Sequence, residues 1–166
     1  MTAAQLAYRR NVGIMVINRT GEVWIGRRSD TPADLEGLGA WWQMPQGGID
    51  ASEDPAQAAL RELYEETGIC SVRIVGESAG WYTYDFPQGA GKALGGRYRG
   101  QRQKWFAVRF LGSDEEVVLA QPGHKPEFDT WRWARLDELL DLIVPFKRPV
   151  YDQVVRDFAA LAVPGE

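Results

Sequence analysis

Three glutamates spaced as i, i+3 and i+4 are the side chains of this sequence with the clearest capacity for chemistry. Glu62, Glu65 and Glu66 fall in one predicted helix, and residues at this spacing share a helix face. Like charges so placed destabilise a helix by roughly 0.2–0.5 kcal/mol per pair, and the helix dipole disfavours anions near the C-terminal end. Clustered carboxylates suit hard divalent cations such as Mg²⁺. The pattern therefore predicts a metal-binding face rather than a solvated acidic surface, which is the usual meaning of a glutamate cluster.

Other charged residues are candidates for the same site. Arg61 is the only cation between positions 47 and 69, and it can pair with Glu65 or brace a neighbouring carboxylate. Glu127 is an ordinary loop acid when taken alone, but beside the helix glutamates it would be a further metal ligand or a general base. Surface arginines are usually only solvated, yet a metal–phosphate site would make one or two of them phosphate clamps. The arginines that flank the first two predicted strands are Arg9, Arg10, Arg27 and Arg28.

The helix that carries the glutamates has clear start and stop signals. Asp54 is a favourable N-cap, Pro55 suits the first helical position, and Gln57 completes a capping-box spacing. Gly68 predicts the C-terminal end. An apolar stripe is expected to pack on the side away from the acids; it comprises Ala56, Ala59, Leu60, Leu63 and Tyr64.

A glycine-rich segment, Gln88–Gly100, carries Lys92, Arg97 and Arg99 and is followed by Arg102 and Lys104. It is either a mobile hairpin loop with solvating charges or a basic flap over a polyphosphate, and both interpretations stay open. It is not a P-loop, because Lys92 is followed by alanine instead of serine or threonine.

The remaining elements interleave strands and helices without a regular βαβ rhythm. Predicted strands are Asn11–Asn18, Val23–Arg28, Trp41–Pro45, Val72–Glu77, Trp81–Phe86, Lys104–Leu111 and Trp131–Ala134, and predicted helices are Leu136–Ile143 and Pro149–Leu161. The 166 residues show no internal repeat and no interdomain linker. We therefore expect one domain, residues 1–166, with an α/β architecture in which a mixed β-sheet lies between helices.

Composition sets the broad class. A net charge of −4 argues against broad non-specific nucleic-acid binding, so no DNA partner is expected, although a local basic pocket is compatible with it. No apolar run approaches the ~20 residues of a membrane span, so no membrane partner is expected. Cys70 is the only cysteine; an intrachain disulfide is thus impossible, and a cytoplasmic location is expected. We expect Cys70 to be a small buried residue rather than a nucleophile.

The segment from 47 to 69 resembles the Nudix box, G-x5-E-x7-R-E-U-x-E-E-x-G-U, in which U is a bulky apolar residue. All nine specified positions are filled, by Gly47, Glu53, Arg61, Glu62, Leu63, Glu65, Glu66, Gly68 and Ile69. The resemblance implies the Nudix α/β/α sandwich and a hydrolase of nucleoside diphosphates linked to another group. It also implies Mg²⁺ or Mn²⁺ as cofactor, and the number of available carboxylates makes more than one ion plausible.

Beyond the box, about Tyr8 to Phe158 is similar to the bacterial RNA pyrophosphohydrolase branch, notably at 8–13, 42–48, 126–133 and 145–151. This resemblance implies that a 5′-triphosphorylated RNA is the substrate. The implied metal ligands are Glu62, Glu65, Glu66 and Glu127, with the Gly47 carbonyl joining, and the implied RNA contacts are Arg9, Arg28, Phe146 and Lys147. Phe146 would stack on a base, and the cations would hold phosphates.

A longer loop at 29–40, together with Tyr84–Pro87 and Gln101–Phe106, also resembles asymmetric dinucleoside tetraphosphate hydrolases. Two enzymatic functions therefore stay open: pyrophosphate removal from RNA, and hydrolysis of diadenosine tetraphosphate to ATP and AMP. In both, water would attack phosphorus in line, with Glu127 or Glu65 as the general base. A third function, a noncatalytic nucleotide sensor, is disfavoured because binding alone would not need the whole carboxylate set.

Overall fold

The computed structural model describes residues 6–29, 41–87 and 97–165. Most of the loop 29–40 and of the glycine-rich segment 88–100, including Lys92, lies outside the described residues. The flap interpretation of that segment therefore stays a prediction.

The described strands are β1 (Ala7–Ile17), β2 (Val23–Arg28), β3 (Trp42–Gln43), β4 (Gln46–Gly48), β5 (Val72–Glu77), β6 (Tyr82–Asp85), β7 (Tyr98–Phe110) and β8 (Phe128–Ala134). The described α-helices are α1 (Pro55–Thr67), α2 (Leu139–Leu142) and α3 (Arg148–Phe158), and short 3-10 turns occupy Asp114–Glu116, Leu136–Glu138 and Pro145–Lys147. Among the described helices, none has the length and apolar character needed to cross a bilayer.

The strands form one mixed sheet with β1 and β7 at its centre. The main order is β3-β2-β1-β7-β5, while β4 pairs with β1, β6 with β7 and β8 with β2. Strands β1 and β7 run parallel, from Ala7 opposite Tyr98 to Ile17 opposite Arg109, and the other pairs are antiparallel. The predicted mixed sheet is thus confirmed.

Alternate residues of β1 pack into two different apolar layers, because successive side chains of a strand point to opposite faces. One layer joins β1 and β7 to α1 and contains Val12, Ile14, Val16, Ala58, Ala59, Leu63, Phe106 and Val108. The other joins the same strands to α3 and contains Met15, Ile17, Trp105, Ala107, Tyr151, Val154 and Phe158. The sheet therefore lies between α1 and the C-terminal helices, which confirms the α/β/α sandwich.

Helix α1 begins and ends where its sequence predicts. The Asp54 carboxylate accepts hydrogen bonds from the N–H groups of Ala56 and Gln57, at 3.1 and 3.4 Å. Gly68 terminates the helix in the left-handed region, at φ 78°, and its N–H donates to the Tyr64 carbonyl. The helix register, and with it the direction of its glutamates, is therefore fixed at both ends.

Several local expectations were wrong. Leu60 and Tyr64 are 40% and 51% exposed, because the packed stripe runs through Ala59 and Leu63 and places these two residues on the outer side of α1. Cys70 is exposed, since it follows the helix on the connection to β5. Strand β4 at Gln46–Gly48 was not predicted, and β1 and β7 begin earlier than predicted, at Ala7 and Tyr98.

The segment 136–143, predicted as one helix, is a 3-10 turn followed by the single turn α2.

Candidate active site

Two glycines of β4 let side chains approach the strand closely. A methyl group at Gly47 would collide with the carboxyl group of Glu62, and one at Gly48 would collide with the guanidinium of Arg9. Gly47 pairs with Val12 and Gly48 with Asn11, so the two positions face opposite sides of the sheet. The predicted ligand Glu62 and the predicted phosphate contact Arg9 are therefore both held against β4.

Arg61 joins α1 to β4 and to the turn between them. Its Nε and Nη2 atoms donate to the two carboxylate oxygens of Glu53, each at 2.8 Å, and Nη2 also donates to the Gly48 carbonyl at 2.9 Å. Its Nη1 atom donates to Glu62 at 2.9 Å and to Glu65 at 3.2 Å. The hydrogen bonds from Arg61 lower the pKa of Glu53 to about 2. Arg61 thus serves both expected purposes, pairing with Glu65 and bracing other carboxylates.

Glu66 is the most buried of the glutamates, with only 8% of its surface exposed. The Gln46 N–H donates to its Oε2 atom at 3.3 Å. Burial raises the pKa of Glu66 well above its ordinary value, and the negative charges of Glu127 and Glu62 raise it further, while Arg28 opposes the shift. The structure therefore brings Glu62, Glu66, Glu127 and Arg28 into one electrostatic neighbourhood.

A divalent cation fits the chemistry of this donor set, because it would neutralise carboxylates that burial and mutual repulsion leave uncompensated. The room left by Gly47 also lies directly at the Glu62 carboxylate. Within ranges 6–29, 41–87 and 97–165, no three acidic, histidine or cysteine side chains are gathered closely enough to hold a metal ion by themselves. The metal-ligand roles of these carboxylates stay predictions.

Lys147 and Phe146 approach the same neighbourhood from the turn before α3. Lys147 is 5% exposed, and its Nζ atom donates to the side-chain oxygen of Gln43 at 3.2 Å. Burial, together with repulsion from Arg28, lowers the pKa of Lys147 to about 7, while Glu66 and Glu127 act in the opposite direction. The Phe146 ring lies 5.7 Å from that of Tyr84, and Lys147 Nζ lies 5.7 Å from the Tyr84 ring centroid.

Sequence reasoning missed a buried hydrogen-bond network on the α3 side of the sheet. The Gln103 amide donates to Asn11 at 3.2 Å, to Gln46 at 3.0 Å and to Gln101 at 2.8 Å. The Tyr84 hydroxyl also donates to Gln101, at 2.8 Å. Gln46 is also the residue whose N–H donates to Glu66, so the network fixes the strand residue that holds this carboxylate. The available signal was the spacing of Gln101 and Gln103, two glutamines on one face of a buried strand.

Lys104 is engaged elsewhere. Its ammonium donates to the Ser78 carbonyl at 3.0 Å and lies 3.8 Å from the Glu77 carboxylate, at the end of β5. Arg27 pairs with Asp129 at 2.9 Å. A direct contact between Lys104 and substrate therefore has no support from this geometry and stays a prediction.

Comparisons with known proteins agree with this architecture. The family model described as "NUDIX domain" matches residues 7–154. A Brucella ovis protein named RNA pyrophosphohydrolase is 56% identical over 161 residues, covering 95% of this chain and 90% of the relative. A Rhodospirillum rubrum protein of the same name is 54% identical over 165 residues, covering 99% and 94%.

Among solved structures, a Caenorhabditis elegans Ap4A hydrolase binary complex has a TM-score of 0.62 at 20% identity, covering 91% of this chain and 96% of that one. A MutT protein from Methanosarcina mazei has a TM-score of 0.66 at 20% identity, covering 92% and 96%. At this identity the structural likeness establishes the shared fold.

Proposed function

The chain belongs to the NUDIX family of hydrolases, and from this membership we propose that it removes pyrophosphate from the 5′-triphosphate end of RNA. Two relatives that bear the name RNA pyrophosphohydrolase are 54–56% identical over nearly the whole chain. The observation that carries the proposal is the buried Glu66, which shares one neighbourhood with Glu62 and Glu127 and with the cations Arg28 and Lys147. Carboxylates that can bind a metal ion and cationic side chains that can bind phosphate thus occur together.

Nudix hydrolases generally use divalent metal ions. We propose Mg²⁺ or Mn²⁺, with more than one ion, held by Glu62, Glu65, Glu66, Glu127 and the carbonyl of Gly47. Such an ion supplies Lewis acidity that neutralises phosphate oxygens and makes a water more acidic. Arg61 would keep Glu62 and Glu65 in place through the hydrogen bonds described above.

The cations and the aromatic ring would position the substrate. Arg9, Arg28 and Lys147 would hold phosphate oxygens, and Phe146 would stack on a base, since its ring is only partly buried beside Tyr84. The Lys147 ammonium is held by its hydrogen bond to Gln43, and it interacts electrostatically with Arg28, Glu66 and Glu127.

The reaction itself is an in-line displacement at phosphorus. A water oxygen forms a bond to the phosphorus that stays on the RNA, and the bridging P–O bond to the departing pyrophosphate breaks. The water proton passes to a carboxylate, either Glu127 or Glu65. Glu127 is exposed, whereas Glu65 is partly engaged by Arg61 at 3.2 Å, and both assignments stay open.

A product assay tests the proposal. Triphosphorylated RNA and diadenosine tetraphosphate are offered at matched concentrations with Mg²⁺. The expected result is pyrophosphate and monophosphorylated RNA, formed much faster than any dinucleotide product. Preferential release of ATP and AMP would transfer the assignment to dinucleotide hydrolysis, and binding without turnover of either substrate would favour a nucleotide sensor.

A further inference from the structure

Two arginines near the beginnings of β1 and β7 contact one tryptophan. Arg10 of β1 and Arg102 of β7 are register partners in the parallel pair. Their guanidinium carbons lie 5.2 Å and 4.8 Å from the centroid of the Trp81 ring. Both arginines are exposed and Trp81 is partly buried, so this group, here called the Arg–Trp surface, faces solvent.

No carboxylate of the described ranges neutralises the charges of this surface. Among the residues that the structure describes, no carboxylate lies within salt-bridge distance of Arg10 or Arg102. The nearby Arg99, in contrast, pairs with Asp85 at 2.8 Å. Like charges directly opposite each other on neighbouring strands are destabilising. The cation–π contacts with Trp81 offset part of this cost and hold the two guanidiniums side by side.

The Arg–Trp surface adjoins the proposed site. The Arg10 carbonyl accepts a hydrogen bond from the Ile49 N–H at 3.2 Å, which ties the start of the surface to the glycines of β4. Arg9, the preceding residue, lies against Gly48 and is a proposed phosphate contact. Successive side chains of β1 point to opposite faces of the sheet, so Arg10 lies on the other face, where Glu62 meets β4.

We propose that Arg10, Trp81 and Arg102 bind the RNA chain on the 3′ side of its first nucleotides. Guanidiniums neutralise backbone phosphates, and planar guanidinium and indole groups stack on unpaired bases. A local basic surface offsets the net charge of −4 where a polyanion approaches. The inference rests on the proposed function, because a dinucleoside polyphosphate has no chain that extends beyond the site.

The double substitution R10Q/R102Q tests the inference. Triphosphorylated RNAs of about 2 and about 12 nucleotides are compared in steady-state assays. The expected result is a KM about fivefold or more higher for the long RNA, with kcat unchanged and the short RNA unaffected. The salt dependence of long-RNA binding should weaken by about 1.4 in log–log slope, for two lost contacts to a single strand. Arg156→Gln, which removes an exposed cation of α3, is the matched control.

An equal loss on both RNA lengths, or no loss on either, overturns the inference. A lower melting temperature without a length-dependent KM would show that the arginines only cover Trp81, and this result also overturns the inference. The variant R10K/R102K keeps the charges and should therefore bind the long RNA more tightly than R10Q/R102Q. If wild-type protein releases no pyrophosphate from RNA, the proposed function fails. The inference is then judged by anisotropy with a single-stranded RNA of about 12 nucleotides, where unchanged binding by R10Q/R102Q overturns it.

Discussion

Keeping the buried Glu66 carboxylate ionised costs the folded protein free energy. Its burial and its acidic neighbours disfavour the ionised form. A structural role would be served as well by a neutral side chain, since its hydrogen-bond partner, the Gln46 N–H, needs only an acceptor oxygen. This cost supports the proposal that Glu66 binds a cation.

Glu66→Gln should lower kcat for pyrophosphate release by about 10²–10⁴-fold while keeping the melting temperature equal or higher. The amide retains an oxygen for Gln46 and removes the buried charge. Pyrophosphate release and thermal unfolding, measured on the same preparation, check both halves. Glu115→Gln, on an exposed 3-10 turn, is the matched control. Near-normal turnover in Glu66→Gln would exclude the proposed metal site.

Lys147 gives a prediction with a defined pH dependence. Its pKa falls from 10.5 to about 7 on folding, so the folded protein bears the cost of a buried ammonium below about pH 7. Between these two values the unfolded chain binds the proton more tightly, and stability therefore rises with pH. Lys147→Met should thus gain free energy of unfolding relative to wild type below about pH 7, and the gain should vanish above 10.5.

Urea unfolding of Lys147→Met and wild type across this pH range is the measurement. The loss of the hydrogen bond to Gln43 is a constant offset and does not alter the slope. A stability difference that does not vary with pH would show that the pKa of Lys147 does not change on folding. The same variant should bind triphosphorylated RNA more weakly, because a phosphate contact is lost.

At the scale of elements, the position of α1 on β4 depends on Arg61 and Glu53. The pKa of Glu53, lowered from 4.5 to about 2 by the hydrogen bonds from Arg61, means that the pair stabilises the fold fully above pH 4.5. This contribution is lost as the pH falls toward about 2. Glu53→Gln should therefore be less stable than wild type at about pH 7, with a difference that shrinks at about pH 3.

Equilibrium unfolding at the two pH values measures this difference. The activity of Glu53→Gln should also fall, because Arg61 then holds Glu62 and Glu65 less firmly. A pH-independent difference would mean that packing, rather than the ion pair, connects helix to strand.

Local signals explain which elements could be predicted from sequence. Asp54 and Gly68 define α1 because capping depends on neighbouring residues alone. The burial of Leu60 and Tyr64 was predicted wrongly because their exposure depends on which side of α1 faces the sheet. The network around Gln103 was missed for a similar reason: it requires Asn11 and Gln103 to meet across the β1–β7 pair, whose register no local pattern encodes. The glutamates were found because their spacing is local, whereas the electrostatic interaction of Glu127 with Glu66 depends on the tertiary structure.

At the scale of the whole molecule, the C-terminal helix supports the site through the opposite face of the sheet. The Tyr151 hydroxyl of α3 accepts a hydrogen bond from the Met44 N–H at 2.8 Å, in the connection between β3 and β4. Met44 is two residues before Gln46, which holds Glu66. Packing on one side of the sandwich is thereby linked to the glutamates on the other.

Tyr151→Phe should lower the free energy of unfolding by about 1–3 kcal/mol, because it leaves the buried Met44 N–H without its acceptor. Turnover should fall modestly with it, as β4 becomes less well positioned. Chemical denaturation and steady-state kinetics test this, with the exposed Tyr64→Phe as control. Unchanged stability in Tyr151→Phe would show that Met44 finds another partner.

The parallel pairing of β1 with β7 has a consequence for synthesis of the chain. Strand β1 leaves the ribosome well before its long central partner β7, which ends only at Phe110. Until then β1 exposes apolar side chains on both faces, and α1 has formed with only part of its packing surface. Until β7 is complete, the nascent chain therefore exposes apolar surface that makes it prone to aggregation.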